Sequence, residues 1–181
     1  MLSDIAAPVA DLLPDLITLR LDLHAHPELA FAETRTAGIV AQSLRLLGLE
    51  VHQGLGGTGV VGTLRCGNGI RSVGLRADMD ALPMMDLGRS AYVSGTPGVH
   101  HGCGHDGHTS MLIGAARQLA RTQRFNGTVH FIFQPAEEGK GGARAMINDG
   151  LVYRFPGDSV YALHNWPDRP LGQAQTRHGP I

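Results

Sequence analysis

The chain has 181 residues, 43% of them hydrophobic and 17% charged, with a formal net charge of −1. That size and apolar content support one globular core, or most of one. The near-balanced charge excludes a basic field for nucleic acid and a polybasic patch for a membrane surface. No apolar run approaches the roughly 18 residues of a membrane span.

Taken in chain order, the opening stretch MLSDIAAPVADLLPDLITLR has no basic residue before Arg20 and three aspartates. It therefore does not read as a secretory signal. Residues 9–25 are predicted helical, with Pro14 near a first turn and Leu16, Leu19 and Leu23 as an apolar stripe that Pro27 ends. A second helix is predicted over Glu33 to Leu47, with Ala37, Val40, Ala41, Leu44 and Leu47 on one face and Gly48 as its stop. The glycines of residues 54–62 precede a strand rather than open a helix, which weakens a phosphate-cradle reading. VVGTLRC and IRSVGLRA are predicted as two strands of a hairpin turning at Gly67-Asn68-Gly69.

A third helix follows the loop of residues 78–107, with Met111, Leu112, Ala115, Ala116 and Leu119 as its buried face and Asp106 or Thr109 as its cap. TVHFIFQ reads as a central strand covered on both faces. Residues 142–149 suit a short helix ending at Gly150, DSVYALH a further buried strand, and GQAQTR an edge strand. The pattern implies an α/β fold, a mixed β-sheet flanked by helices. Cys66 and Cys103 lie far apart in unlike contexts, so a disulfide framework is not expected and a cytoplasmic setting is the default.

The chemistry concentrates in loops that follow strands, where open α/β sheets place their sites. Residues 100–108, HHGCGHDGH, hold four of the ten histidines and one of the two cysteines. Asp78 and Asp80 follow VGLRA, Glu137 and Glu138 follow HFIFQPA, and His164 closes VYAL. Each of these alone reads as an ordinary capping or surface residue. Together they are hard to leave unmetallated, because clustered acids and imidazoles cost free energy unless paired or bound to a cation.

A mixed Cys, His and carboxylate set fits zinc, with manganese, cobalt or nickel as alternatives, rather than the all-oxygen shells of magnesium or calcium. A closed structural zinc site would want more cysteines, so the set looks catalytic. Gly102 and Gly104 let the backbone bend around Cys103 and His105. Adjacent Glu137 and Glu138 point apart, which argues against a glycosidase pair. It favours one carboxylate on the metal and the other taking a proton from water.

LRLDLHAHPELAFAE, GLRADMDALP, HHGCGHDGHTSMLIGAA, FIFQPAEEGKGGARAMINDG and LHNWPDRPLG closely resemble the amidohydrolases of metallopeptidase family M20. The nearest branch holds N-acyl-amino-acid, hippurate and plant auxin-conjugate hydrolases. The resemblance implies a zinc-exopeptidase-like catalytic domain binding two divalent transition ions, zinc or manganese first. It implies Cys103, His105, Glu138 and His164 as metal ligands, with the Cys103 thiolate placed to bridge. Glu137 is implied as general base, and Asp80 as a group orienting the site from behind; Asp78, His100, His101 and His108 receive no ligand role. The reaction implied is hydrolysis of a small N-acyl amino acid, and the complete family enzyme is expected to be a homodimer.

Family members are longer than this chain. Residues 1–181 are therefore expected to be the N-terminal part of the catalytic domain. The lid and dimerisation domain, and a closing segment with one more histidine ligand, are expected to be missing, and His178 does not sit in that segment's motif. Turnover is expected to be impaired by the truncation, and the alternative is a non-catalytic metal-binding or interaction fragment. A thiol amidase using Cys103 with His105 or His108 would leave Glu137, Glu138 and His164 idle.

Overall fold

The computed structural model describes residues 7–89 and 92–176. A 3-10 turn over Ala7–Leu12 leads into α1 (Leu13–Ala25), followed by α2 (Thr34–Leu46). Three strands come next, β1 (Glu50–Leu55), β2 (Gly59–Cys66) and β3 (Ser72–Asp78). Then come α3 (His105–Thr122), β4 (Gly127–Gln134), α4 (Gly142–Asn148), α5 (Leu151–Arg154) and β5 (Ser159–Ala162). The strands form one mixed sheet in the order β1-β2-β4-β3-β5. This is the α/β architecture that the alternation of elements predicts.

β4 is the centre. It runs antiparallel to β2, with Val60 opposite Phe133 and Leu64 opposite Val129. It runs parallel to β3, with Ser72 opposite Thr128 and Asp78 opposite Gln134. Alternation along β2 and β4 then feeds two cores. Val60, Leu64, Val129, Phe131 and Phe133 pack with Val40, Ala41 and Leu44 of α2 and Leu112, Ile113 and Ala116 of α3. Val61 and Ile132 face the other way, onto Leu55 and Met146. Each fully buried Phe or Leu contributes roughly 1.5–3 kcal/mol of hydrophobic stabilisation.

The predicted hairpin between β2 and β3 does not form, because β4 lies between them. The Gly67-Asn68-Gly69 turn opens to admit Asn126, whose side-chain oxygen accepts the Gly69 N–H at 2.6 Å. A Cβ on Gly67 would come within 2.3 Å of that oxygen, and one on Gly69 within 2.4 Å of the Asn126 carbonyl. Local turn chemistry was satisfied by a long-range partner instead. The true hairpin is β1 with β2, bulged between Gln53 and Leu55; residues 50–53 of the polar, half-exposed β1 fall in no predicted element.

Four smaller expectations also change. Met111 is 45% exposed, while Ile113 is fully buried. Met111 instead borders an open groove of about 320 Å³ between α3 and β5, beside Tyr161 and Leu163. The α3 cap is Gly104 rather than Asp106 or Thr109; Thr109 turns its hydroxyl to the Asp78 carbonyl. Ser159–Ala162 is a strand but not a buried one, since every residue of it is exposed at the edge beside β3. Residues 172–176 form no strand.

Candidate metal centre

Because β3, β4 and β5 are parallel, their carboxyl ends open on one edge of the sheet. Asp78 ends β3, with Asp80 two residues on. Glu137 and Glu138 follow β4, and His164 follows β5. α3, the crossover between β3 and β4, begins at His105 on the same edge. Gly104, at φ +91°, makes the turn into it, and a Cβ there would come within 2.6 Å of the Asn165 side chain.

Buried carboxylates fix the loop after β4. Asp80, 1% exposed, accepts the Glu137 N–H at 2.9 Å on one oxygen and the Glu138 N–H at 3.0 Å on the other. Glu33, fully buried, accepts the Ala136 N–H at 2.8 Å and the Thr58 hydroxyl at 2.6 Å. Ala136 is held at φ +50°, a strained region for a residue with a side chain. Three successive amides are thus gripped from two directions, which sets where the two glutamate side chains emerge.

His105 is the common point. Its Nε2 lies 3.7 Å from Glu138 Oε1, 3.9 Å from Glu137 Oε2 and 3.6 Å from Asp78 Oδ1. Its Nδ1 lies 3.3 Å from Asp80 Oδ1. Cys103 Sγ is 3.4 Å from His164 Nε2. Donor atoms of Cys103, His105 and His164 lie within 4.8 Å of one another, as do those of His105, Glu137 and Glu138. All six side chains singled out from the sequence, those of Asp80, Cys103, His105, Glu137, Glu138 and His164, therefore gather in one place. His178 lies outside the described residues.

The donors fit a cation. Both nitrogens of His105 and Oε1 of Glu138 are buried without a hydrogen-bond partner, a costly state unless something else binds them. Burial, reinforced by Glu138, Asp78 and Glu137, pushes the Cys103 thiol up to about 12. Burial would lower His105, but Asp80, Asp78 and Glu138 outweigh it and leave it raised. A pocket that disfavours a thiolate and favours an imidazolium is one rich in negative charge, and a bound dication reverses both effects.

Asp78 is otherwise engaged. Burial opposes its charge, yet His108, His105 and Arg76 bring it down to about 2. His108 Nδ1 sits 2.6 Å from it and Arg76 donates at 2.7 Å. Asp78 thereby orients His108, whose Nε2 accepts the Asn165 N–H at 3.1 Å next to His164. Sequence reasoning gave no role to Glu33 or Asn165. Glu33 stands just before a helix, where an acid is ordinary, so nothing local distinguished it.

The fold and this donor cluster define an α/β domain with a candidate metal centre at the carboxyl ends of its parallel strands. The model of peptidase family M20/M25/M40 matches residues 74–179, and the chain belongs to that family. It is 50% identical over 159 residues to the hippurate hydrolase of Campylobacter jejuni, covering 88% of this chain and 41% of that one. It is 38% identical over 167 residues to the IAA-amino acid hydrolase ILR1-like 4 of Arabidopsis thaliana, covering 92% and 37%. A Bacillus subtilis structure described as a dinuclear metal binding peptidase from the M20 family superposes with a TM-score of 0.87 at 36% identity, over 93% of this chain and 47% of that one. The chain thus spans less than half the length of these relatives. No helix among the described residues is long and apolar enough to cross a membrane.

Proposed function

We propose that residues 1–181 supply the metal-holding part of the catalytic domain of an amidohydrolase that splits N-acyl amino acids into a carboxylate and a free amino acid. The observation that carries this reading is the fully buried His105 imidazole, both nitrogens without a hydrogen-bond partner and surrounded by thiol, imidazole and carboxylate donors. Relatives named for hippurate and for IAA–amino acid hydrolysis support the substrate class.

In this reading Cys103, His105, Glu138 and His164 hold divalent transition ions, zinc or manganese, with His105 between two donor sets. Such ions supply Lewis-acid polarisation of the amide carbonyl and an acidified water. Glu137, its side chain 38% exposed and facing His105, takes the proton from the attacking water and returns it to the departing amine. Asp80 acts through the loop, holding the amides of both glutamates. The setting is cytoplasmic, in keeping with two free cysteines.

The test is metal analysis and hydrolysis of a panel of acylated amino acids, run on this chain and on a version extended to the length of its relatives. Glu137→Gln in the active form should lower turnover by about 10²–10⁴-fold with metal content unchanged. Undiminished turnover in that variant would remove Glu137 as base. Activity that survives EDTA would replace the metal reading with a thiol one. Activity in the extended chain alone would make residues 1–181 a metal-holding part without turnover of its own.

A further inference from the structure

A second group of donors gathers away from His105, where the end of α1 meets the loop before α3. His24, in the last turn of α1, is buried. Its Nδ1 lies 2.7 Å from Asp106 Oδ2, and that carboxylate is also paired with Arg20 Nε at 3.0 Å. A carboxylate so close to Nδ1 places the imidazole proton there and leaves the Nε2 lone pair free. Nε2 faces Asp86 Oδ2 at 3.7 Å, and His100 Nδ1 faces the same oxygen at 3.5 Å.

The His24 and Asp86 side chains, and the backbone of His100, are held from behind. Asp86 accepts the Gly88 N–H and the Ser94 N–H, both at 2.8 Å, and those amides keep its carboxyl below the usual carboxylate range. His100 exchanges two backbone hydrogen bonds of 3.0 Å with Leu82. The Gly95 N–H donates to the Ala25 carbonyl at 2.8 Å, tying the loop to the end of α1. Yet His100 Nδ1 is buried with no hydrogen-bond partner.

Separations of 3.5 and 3.7 Å are too long for good hydrogen bonds. The first falls within, and the second about 0.1 Å above, the spacing of about 3.3–3.6 Å between donors on a tetrahedral ion with bonds of about 2.0–2.2 Å. The three donor atoms lie within 4.8 Å of one another, and the side chains are only 10%, 8% and 19% exposed. Two imidazoles and a carboxylate suit a first-row transition ion. We propose that His24, Asp86 and His100 form a separate site for such a divalent cation, completed by water, that staples Asp86 and His100 of the loop before α3 to α1. It shares no ligand with the His105 centre and does not depend on the reading of that centre as catalytic.

Cobalt(II) titration of the full chain, followed by absorption and by metal content after desalting, separates the two centres. Only the centre containing Cys103 can give a sulfur-to-cobalt charge-transfer band. His100→Gln and Asp86→Asn should each lose one equivalent of cobalt with the sulfur band intact. Cys103→Ala should lose the sulfur band and keep that equivalent. Native cobalt stoichiometry in both His100→Gln and Asp86→Asn overturns the proposal. As a check that needs no variant, zinc added to the native chain should shift the ¹⁵N resonances of His24 Nε2 and His100 Nδ1. Resonances that stay put at saturating zinc overturn it equally.

Discussion

The middle of the sheet and its β5 edge are built from similar apolar residues, yet they behave as opposites. On β4, Phe131 and Phe133 are fully buried between helices. On β5, Val160 and Tyr161 are 61% and 62% exposed, with β3 as the sole paired strand among the described residues. A strand's side chains alone do not decide its burial; the layers stacked on it do. The candidate centre straddles this divide. Asp80 and Glu33 come from the buried side, where hydrogen bonds fix them, and His105 from the buried start of α3. His164 comes from the edge, held by the Asn165 carbonyl at 2.6 Å, by Cys103 and by its ring contact with His108 at 4.6 Å.

The largest expected effect lies in the centre. Phe133→Ala should destabilise the fold by about 3–5 kcal/mol, read from denaturant unfolding. A cost below that of an edge substitution would erase the contrast between the two regions.

Next comes the loop clamp. Glu33→Ala leaves the Ala136 N–H buried and unpaired, which should cost about 1–3 kcal/mol and weaken metal retention, as dialysis would show. Glu33→Gln keeps an acceptor and should be milder. Equal metal retention in Glu33→Ala and the native chain would show that the clamp does not position the two glutamates.

A smaller effect is expected from His130 on β4, whose imidazole is held below its ordinary pKa by burial, with Arg65 adding repulsion. Unfolded, it titrates near 6.5, so on acidification the unfolded chain takes the proton first. The contribution is full above pH 6.5 and is lost as the pH falls through the lower folded-state value. Denaturation midpoints should decline across that window, and His130→Gln should flatten the decline. An unaltered slope in that variant would rule His130 out as its source.

At the edge, Val160→Thr should change stability by no more than about 0.5 kcal/mol. A loss comparable to that of Phe133→Ala would mean that β5 is covered in solution.

Much of the architecture was legible. α2, β4 and α4 fall close to their predicted spans because each carries a complete local pattern: helical periodicity, an unbroken apolar run, or a glycine stop. β1 was missed because its polar, half-exposed residues carry no such pattern. The hairpin failed for a different reason, since the glycine turn binds Asn126 from 57 residues away.

The sequence by itself determined the donor types and their position after strands, because strand ends are marked by local periodicity. It also carried the family resemblance, since whole motifs are local. Only the tertiary structure decided that Glu33 grips the metal-side loop, that Asp78 serves His108, and that His24 meets Asp86 and His100. Each of those contacts joins residues far apart in the chain, and their geometry comes from how helices and strands stack rather than from any neighbouring residue.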